Sequence, residues 1–372
     1  MGGNPKKQLL GTLAMNFKLL KVLDLQDALL DQLHEEIGNL LHLRYLSVKR
    51  TKVKIVPTSI GNLHNLQTLN VQRSFVTVLQ IGILSRLHKL RHLLASSHIT
   101  GRGVKIQGGI GHLEELQTLR GMEVNDHEEW VGLLTIKELE NLKQLRKLVI
   151  LNMKREYGNA LCTAIKKMKN LQSLRVWAIN GNEILNLHSL SSPPEFLQHL
   201  YLGGRLEMLP NWISKLDNLV ALSLRSSGLT GTRAIKALQA LPNLLELYFY
   251  GGYDGEQLCF AFGGFQKLKV LYLRFLKGLN SIIIEEGGLP VLHLLRIGPS
   301  AQLKEVPSVI RNLRELKSLF FVDMPIEFLD RMKPYRGQDY WIVEHIPNVQ
   351  FAFKDKGGLF KSYAPQEFHD AK

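Results

Sequence analysis

The spacing Leu-x-x-Leu-x-x-Leu-x-Leu returns along this chain at intervals of roughly two dozen residues, and a period of that length dictates a stacked architecture. It reads FKLLKVLDL at 17–25, LLHLRYLSV at 40–48, LHNLQTLNV at 63–71, LHKLRHLLA at 87–95 and LEELQTLRG at 113–121. It continues as LKQLRKLVI at 142–150, MKNLQSLRV at 168–176, PEFLQHLYL at 194–202, LDNLVALSL at 216–224 and LPNLLELYF at 241–249. FQKLKVLYL at 265–273, LPVLHLLRI at 289–297 and LRELKSLFF at 313–321 complete the clear copies, and a degenerate one lies around Ile346–Phe353. One such coil cannot bury its own leucines, whereas stacked coils share a continuous core.

Within each copy, apolar residues at every second position predict a short strand with one buried face. The outer leucines then turn the chain back along the far side. Anchors at Leu20, Leu43, Leu66, Leu90, Leu116 and Leu145 step by 23, 23, 24, 26 and 29 residues, so the outer segments lengthen over 95–200. PTSIGNL at 57–63, PNWISKL at 210–216 and PSVIRNL at 307–313 supply Pro-started outer segments. The predicted fold class is an α/β leucine-rich-repeat solenoid of about 13–14 repeats, a horseshoe with a parallel concave sheet and a helical or irregular convex side.

The expected organisation is a short lead-in at 1–16, the solenoid at 17–321, a capping repeat at 322–353 and a polar tail at 354–372. Sixteen residues are too few to cap the first coil, so another segment is expected to cover that end. Met1-Gly2 does not read as a myristoylation signal, because Lys6 stands where Ser or Thr is needed and Pro5 precedes it. No signal peptide, no long apolar run and no Asn-x-Ser/Thr site occurs, and the two cysteines, Cys162 and Cys259, form no disulfide framework. These features predict an intracellular, cytoplasmic chain without membrane insertion, the nucleus being the alternative.

Chemistry is sparse. The chain holds no Gly-Lys dipeptide, hence no phosphate loop, and GRGVKIQGG at 101–109 reads as an irregular loop. Asp126-His127-Glu128-Glu129 and His34-Glu35-Glu36 lack a second ligand pair and read as solvated turns rather than a metal site. Cys162, at helical spacing with Leu161, Ile165 and Met168, reads as a small core residue, and Cys259 likewise. No catalytic residue, metal or cofactor is assigned, and the expectation is that the chain is not an enzyme.

Two surfaces stand out instead. On the strands, residues between the last two leucines face away from the core, toward the concave side. They are Asp24, Ser47, Asn70, Leu94, Arg120 and Val149, then Arg175, Tyr201, Ser223, Tyr248, Tyr272, Arg296 and Phe320. Two positions further on stand Met122 and Leu151, then Trp177, Gly203, Arg225, Tyr250, Arg274, Gly298 and Val322. The second half is dense in Trp, Tyr and Arg, the types that dominate binding hot spots. The partner-binding candidates are therefore Arg175, Trp177, Tyr201, Arg225, Tyr248, Tyr250, Tyr272, Arg274 and Arg296, although the same side chains could simply stack on one another. The second surface follows from charge. Net charge is +14, which favours an acidic partner, and between Lys143 and Arg175 lie nine basic residues and one acid, Glu156. Lys154, Arg155, Lys166, Lys167 and Lys169 form a candidate docking patch for an acidic protein domain, the plainer reading being a solvated outer face. No nucleic-acid module accompanies these lysines, which argues against a nucleic-acid partner.

Particular strings, among them HLRYLSVKRTKV, IGNLHNLQTLNV, GRLEMLPNWISKLDNL, LKEVPSVIRNL and DMPIEFLDRM, resemble the leucine-rich-repeat region of plant nucleotide-binding disease-resistance receptors of the coiled-coil class. The resemblance runs from about Lys18 to Phe353. It implies a protein-recognition role in defense: binding of a pathogen effector or a guarded host protein, or of the receptor's nucleotide-binding switch domain. The coiled coil and nucleotide-binding region of that family have no counterpart in this sequence, and no phosphate-loop or Met-His-Asp element carries over. The alternatives are a non-immune intracellular scaffold or adaptor, or a truncated receptor remnant.

Overall fold

The alternation read from the sequence becomes a ladder of short parallel strands. The computed structural model describes residues 5–96, 103–124, 129–334, 336–354, 360–365 and 367. Chain contacts divide it into two compact units, Met1–Leu197 and Gln198–Lys372.

In the first unit the ladder runs through Val22–Asp24, Tyr45–Ser47, Thr68–Asn70, His92–Leu94, Thr118–Glu123, Lys147–Met153 and Ser173–Ala178. Leu23, Leu46, Leu69, Leu93, Leu119, Leu148 and Leu174 are direct register partners from strand to strand, and all are buried. The second unit repeats the arrangement with His199–Gly203, Ala221–Arg225, Glu246–Tyr250, Val270–Arg274, Leu294–Ile297, Ser318–Val322 and Asn348–Lys354. There the column reads Leu200, Leu222, Leu247, Leu271, Leu295, Leu319 and Val349. The degenerate copy near Ile346 thus supplies a strand in register, and Phe360–Tyr363 pairs antiparallel with it. Each buried leucine side chain contributes about 1.5–3 kcal/mol relative to exposure, so the column, not strand propensity, holds the coils together.

Three residues beyond the residue that lies between the last two leucines of a copy, the chain turns through the left-handed region, often without glycine. Asp27, Arg50, Arg73, Asn152, Ser226, Phe275 and Asp323 have φ of 62, 56, 54, 56, 52, 58 and 47°. The turn carries the ladder past the strand end: the amide of Asp27 donates to Lys49 O at 3.0 Å, Arg50 to Gln72 O at 3.0 Å, Arg73 to Ser96 O at 2.6 Å and Ser226 to Tyr250 O at 2.9 Å. These bonds offset the cost of left-handed backbone at a residue bearing a Cβ. Arg50 also clasps Asp27 with both Nε and Nη, which holds that carboxyl below its usual range.

The outer side is built as the Pro-started motifs predict. Thr58–Asn62 and Ser308–Asn312 are 3-10 turns capped by Pro57 and Pro307, and Ile213–Lys215 is a third. Where the repeat lengthens, helices Glu129–Glu138 and Gly158–Lys167 fill the added residues. Within the described part, 103–109, the expectation of an irregular loop is corrected: Val104–Ile106 is a strand that pairs with Val78–Leu79 and with Met122–Glu123, because two alternating apolar residues are buried there. The lead-in contains a helix, Pro5–Asn16, whose Gly11 lies against the His34 ring. Phe17, Leu19, Val22 and Leu29 nevertheless remain exposed. Among the described residues no helix is long and apolar enough to cross a membrane.

Candidate functional site

The strand face opposite the leucines carries the residues singled out by sequence. In the second unit Tyr201, Ser223, Tyr248, Tyr272, Arg296 and Phe320 occupy one register line across six successive strands, one residue directly beside the next. Parallel pairing holds neighbouring strands about 4.8 Å apart, the distance at which flat side chains meet face to face.

They do meet. The rings of Tyr248 and Tyr272 lie 4.9 Å apart, tilted by 50°. The Arg296 guanidinium sits 5.2 Å from the Tyr272 ring and 4.5 Å from the Phe320 ring. Four consecutive coils therefore carry one continuous stack, Tyr248–Tyr272–Arg296–Phe320. Side chains packed on one another have fewer rotamers open to them, which lowers the entropy they would lose in a complex. Phe320 was in the right column but is absent from the sequence-derived candidates, which followed only Tyr, Trp and Arg.

Glu246 is a second residue the sequence did not flag. It stands two positions before Tyr248, and its carboxylate accepts the Tyr248 hydroxyl at 2.8 Å. Burial raises the Tyr248 phenol well above its ordinary value, and the bond to Glu246 adds to the rise. A phenol held neutral in the fold contributes stability that is complete below the ordinary tyrosine value of about 10 and fades as pH climbs through the raised one. Alkaline difference spectroscopy is expected to show one tyrosine ionising last, with that step gone in Tyr248→Phe. An unaltered titration in the variant would refute the assignment.

The remaining candidates are placed unevenly. Arg225, Tyr250 and Arg274 share a second register line, with Arg225 exposed and Tyr250 half-buried. Arg274 departs from the expectation of a solvent-facing residue: it is 7% exposed, with its guanidinium 5.1 Å from the Phe275 ring. In the first unit Arg175 and Trp177 lie half-buried on Ser173–Ala178. The expectation that Met122 faces outward is corrected by a bulge. Pairing with the next strand slips between Arg120 and Met122, and the extra residue, Gly121, turns Met122 into the core. Ser47 and Asn70 are also buried rather than open, each receiving an amide two residues on, from Lys49 at 3.4 Å and Gln72 at 3.1 Å.

Stacking changes the basic segment. Lys167 is paired with Glu140, Lys154 lies 3.5 Å from Glu156 and 6.0 Å above the Tyr157 ring, and the Arg155 amide donates to Glu183 at 2.9 Å. Adjacent coils thus bring one acid, 27 residues away, beside the Lys167 ammonium and another, 28 residues away, onto the Arg155 backbone amide. Arg155, Lys166 and Lys169 remain exposed. Cys162 is buried on the helix Gly158–Lys167, and burial pushes its thiol up, whereas Cys259 is half-exposed. His34 accepts the Glu36 amide at 3.2 Å and so caps the turn at Glu35–Asn39. Residues 125–128 lie outside the described residues; among those described, no group of three His, Cys, Asp or Glu side chains could hold a metal ion.

With this geometry in hand, known proteins can be compared. The leucine-rich repeat region family matches residues 4–328. The disease resistance protein RPM1 of Arabidopsis thaliana is 32% identical over 280 residues, covering 73% of this chain and 29% of that protein. The probable disease resistance protein At1g58390 of the same plant is 30% identical over 360 residues, 95% of this chain and 37% of its own length. The chain therefore spans about a third of the length of the curated relatives it matches. Among solved structures, an internalin of Listeria monocytogenes superposes with a TM-score of 0.61 at 16% identity, covering 90% of this chain and 88% of that one, a likeness of fold alone. The chain belongs to the leucine-rich repeat region family, and the relatives it matches over most of its length are plant disease resistance proteins.

Proposed function

We infer that this chain is the partner-recognition part of a disease-resistance receptor, binding a pathogen effector or a guarded host protein through the strand face of its second unit. The observation that carries this reading is the stack Tyr248–Tyr272–Arg296–Phe320, with Tyr201 on the same line. Large, half-exposed aromatic and guanidinium groups with few open rotamers are the groups from which interfaces draw most of their affinity. Disease resistance is what the relatives' names record.

The test is a titration. A partner selected on the wild-type chain from an effector library is titrated calorimetrically against two variants. Tyr248→Ala with Tyr272→Ala is expected to weaken binding by at least tenfold, since one central aromatic is worth about 1–2 kcal/mol or more. Lys154, Arg155, Lys166 and Lys167 all changed to Glu are expected to leave it within twofold. The opposite pattern would sink the strand-face reading. It would favour docking of a nucleotide-binding switch domain on the outer helix, for which exposed Arg155, Lys166 and Lys169 give the one structural support.

A further inference from the structure

Arg296 has an arrangement that folding alone does not explain. It stands on Leu294–Ile297 between Tyr272 and Phe320, with which it is in direct register. Both ring faces are against its guanidinium, at 5.2 and 4.5 Å. Its Nε is buried with no hydrogen-bond partner, and among the described residues no carboxylate lies within ion-pair distance of it. Every other feature of a stacked arginine is present except the acceptor that usually completes one. Stacking occupies the faces of the plane and burial shuts in Nε, so the outer Nη end of the fork is where a planar, two-oxygen acceptor can approach.

A second cation lies close by. Arg274 is almost fully buried at the end of the adjacent strand, and burial, with Arg296's charge in the same direction, holds its guanidinium below the ordinary value. Tyr250 and Asp323 offset part of this at Arg274, which leaves Arg296 as the cation that an external anion would chiefly relieve.

The geometry points to Arg296, seconded by Arg274, as the seat for an aspartate or glutamate side chain of a polypeptide partner, so that the strand face selects an acidic segment. This rests on the reading that the face binds protein. A phosphate backbone fits less well: Arg296 is the one cation on the line from Tyr201 to Phe320, Tyr250 separates Arg225 from Arg274 on the other, and the Glu246 carboxylate stands on the same face. A nucleic acid gains affinity from a run of cations matched to its phosphates, which this face lacks.

The full chain is titrated with three fluorescent probes at low and physiological salt: end-blocked hexaglutamate, end-blocked hexaglutamine and a ten-nucleotide oligothymidine. Hexaglutamate is expected to bind and hexaglutamine not. Arg296→Ala is expected to weaken hexaglutamate at least tenfold, and Arg296→Lys, which keeps charge and volume but not the planar fork, severalfold. Arg155→Gln is expected to change it less than twofold. Circular dichroism melts show which variants keep the fold, and Arg296→Lys serves if Arg296→Ala does not. The proposal is overturned if Arg296→Lys binds as the wild type does. It is equally overturned if oligothymidine outcompetes hexaglutamate in an Arg296-dependent way, or if hexaglutamate ignores the chain. Should hexaglutamate fail while partner binding still falls in the Tyr248→Ala, Tyr272→Ala variant, only this inference falls. Should hexaglutamate bind through Arg296 while the partner ignores those tyrosines, the recognition reading falls instead.

Discussion

Phe321→Ala is expected to destabilise the C-terminal coils by about 3–5 kcal/mol, the usual cost of emptying a buried phenylalanine site. The ring is fully buried, 4.8 Å from Phe328 at an edge-on angle and 5.8 Å from Phe351 in a stacked one. Phe351 is also its register partner on the next strand, so one truncation loosens three coil elements together. Because a repeat array couples chiefly to nearest neighbours, the loss should stay local. Hydrogen exchange is expected to rise over Ser318–Val322 and Asn348–Lys354 while His199–Gly203 keeps its protection. A urea midpoint shifted by less than 1 kcal/mol equivalent, or protection lost evenly along the chain, would contradict this account.

The second large effect is expected at Gly121→Ala. Gly121 has φ of +84°, and a Cβ built there would stand 1.5 Å from the Ala95 carbonyl oxygen. That oxygen is backbone, in a residue whose own amide donates to Arg120 at 2.7 Å, so it cannot step aside without breaking the ladder. The expected cost is about 4 kcal/mol, combining left-handed strain with the clash. Gly231→Ala separates the two contributions. Gly231 has φ of +71° and ψ of 172° with nothing within 4 Å of an added Cβ, so backbone strain alone applies, about 1–3 kcal/mol. Equal losses at the two sites, measured by urea unfolding, would show that the close approach to Ala95 does not matter.

Gly121 also marks where sequence reading stopped. The leucine columns were legible because a period-two strand pattern inside a two-dozen-residue repeat admits one stacking register, and Leu23 through Leu174 follow it. Met122 escaped because a bulge inserts one residue without disturbing the leucines on either side. The one available signal in LEELQTLRGMEV is the isolated glycine, which inside a strand pattern often marks a bulge.

The candidate face was legible in its columns and not in its contacts. Tyr248, Tyr272 and Arg296 occupy equivalent motif positions, so their adjacency follows from the repeat, whereas the ring tilt of Tyr248 on Tyr272 and the double stacking of Arg296 depend on rotamers. Glu246 was missed because its partner is the tip of a side chain two residues away, outside any motif. The surroundings of the basic run at 143–175 were hidden for a different reason. Linear sequence counts neighbours along the chain, and the acids that neutralise Lys167 and brace Arg155 arrive from adjoining coils.

The left-handed turn residues bear on how a chain of this kind can change its length over generations. Asp27, Arg50 and Arg73 each pass one amide to the coil that follows, and the bond is made by backbone atoms, so the recipient's side chains are immaterial. A duplication or excision of one whole coil would leave every remaining donor facing an acceptor. Longer insertions are taken up on the outer side, as the helices Glu129–Glu138 and Gly158–Lys167 do, while the strands absorb at most a single extra residue, as at the Gly121 bulge. Change at the strands thus runs chiefly in whole coils, while the outer side varies by degrees. A face such as Tyr248–Tyr272–Arg296–Phe320 can be lengthened or reshuffled one rung at a time without redesigning the ladder that displays it.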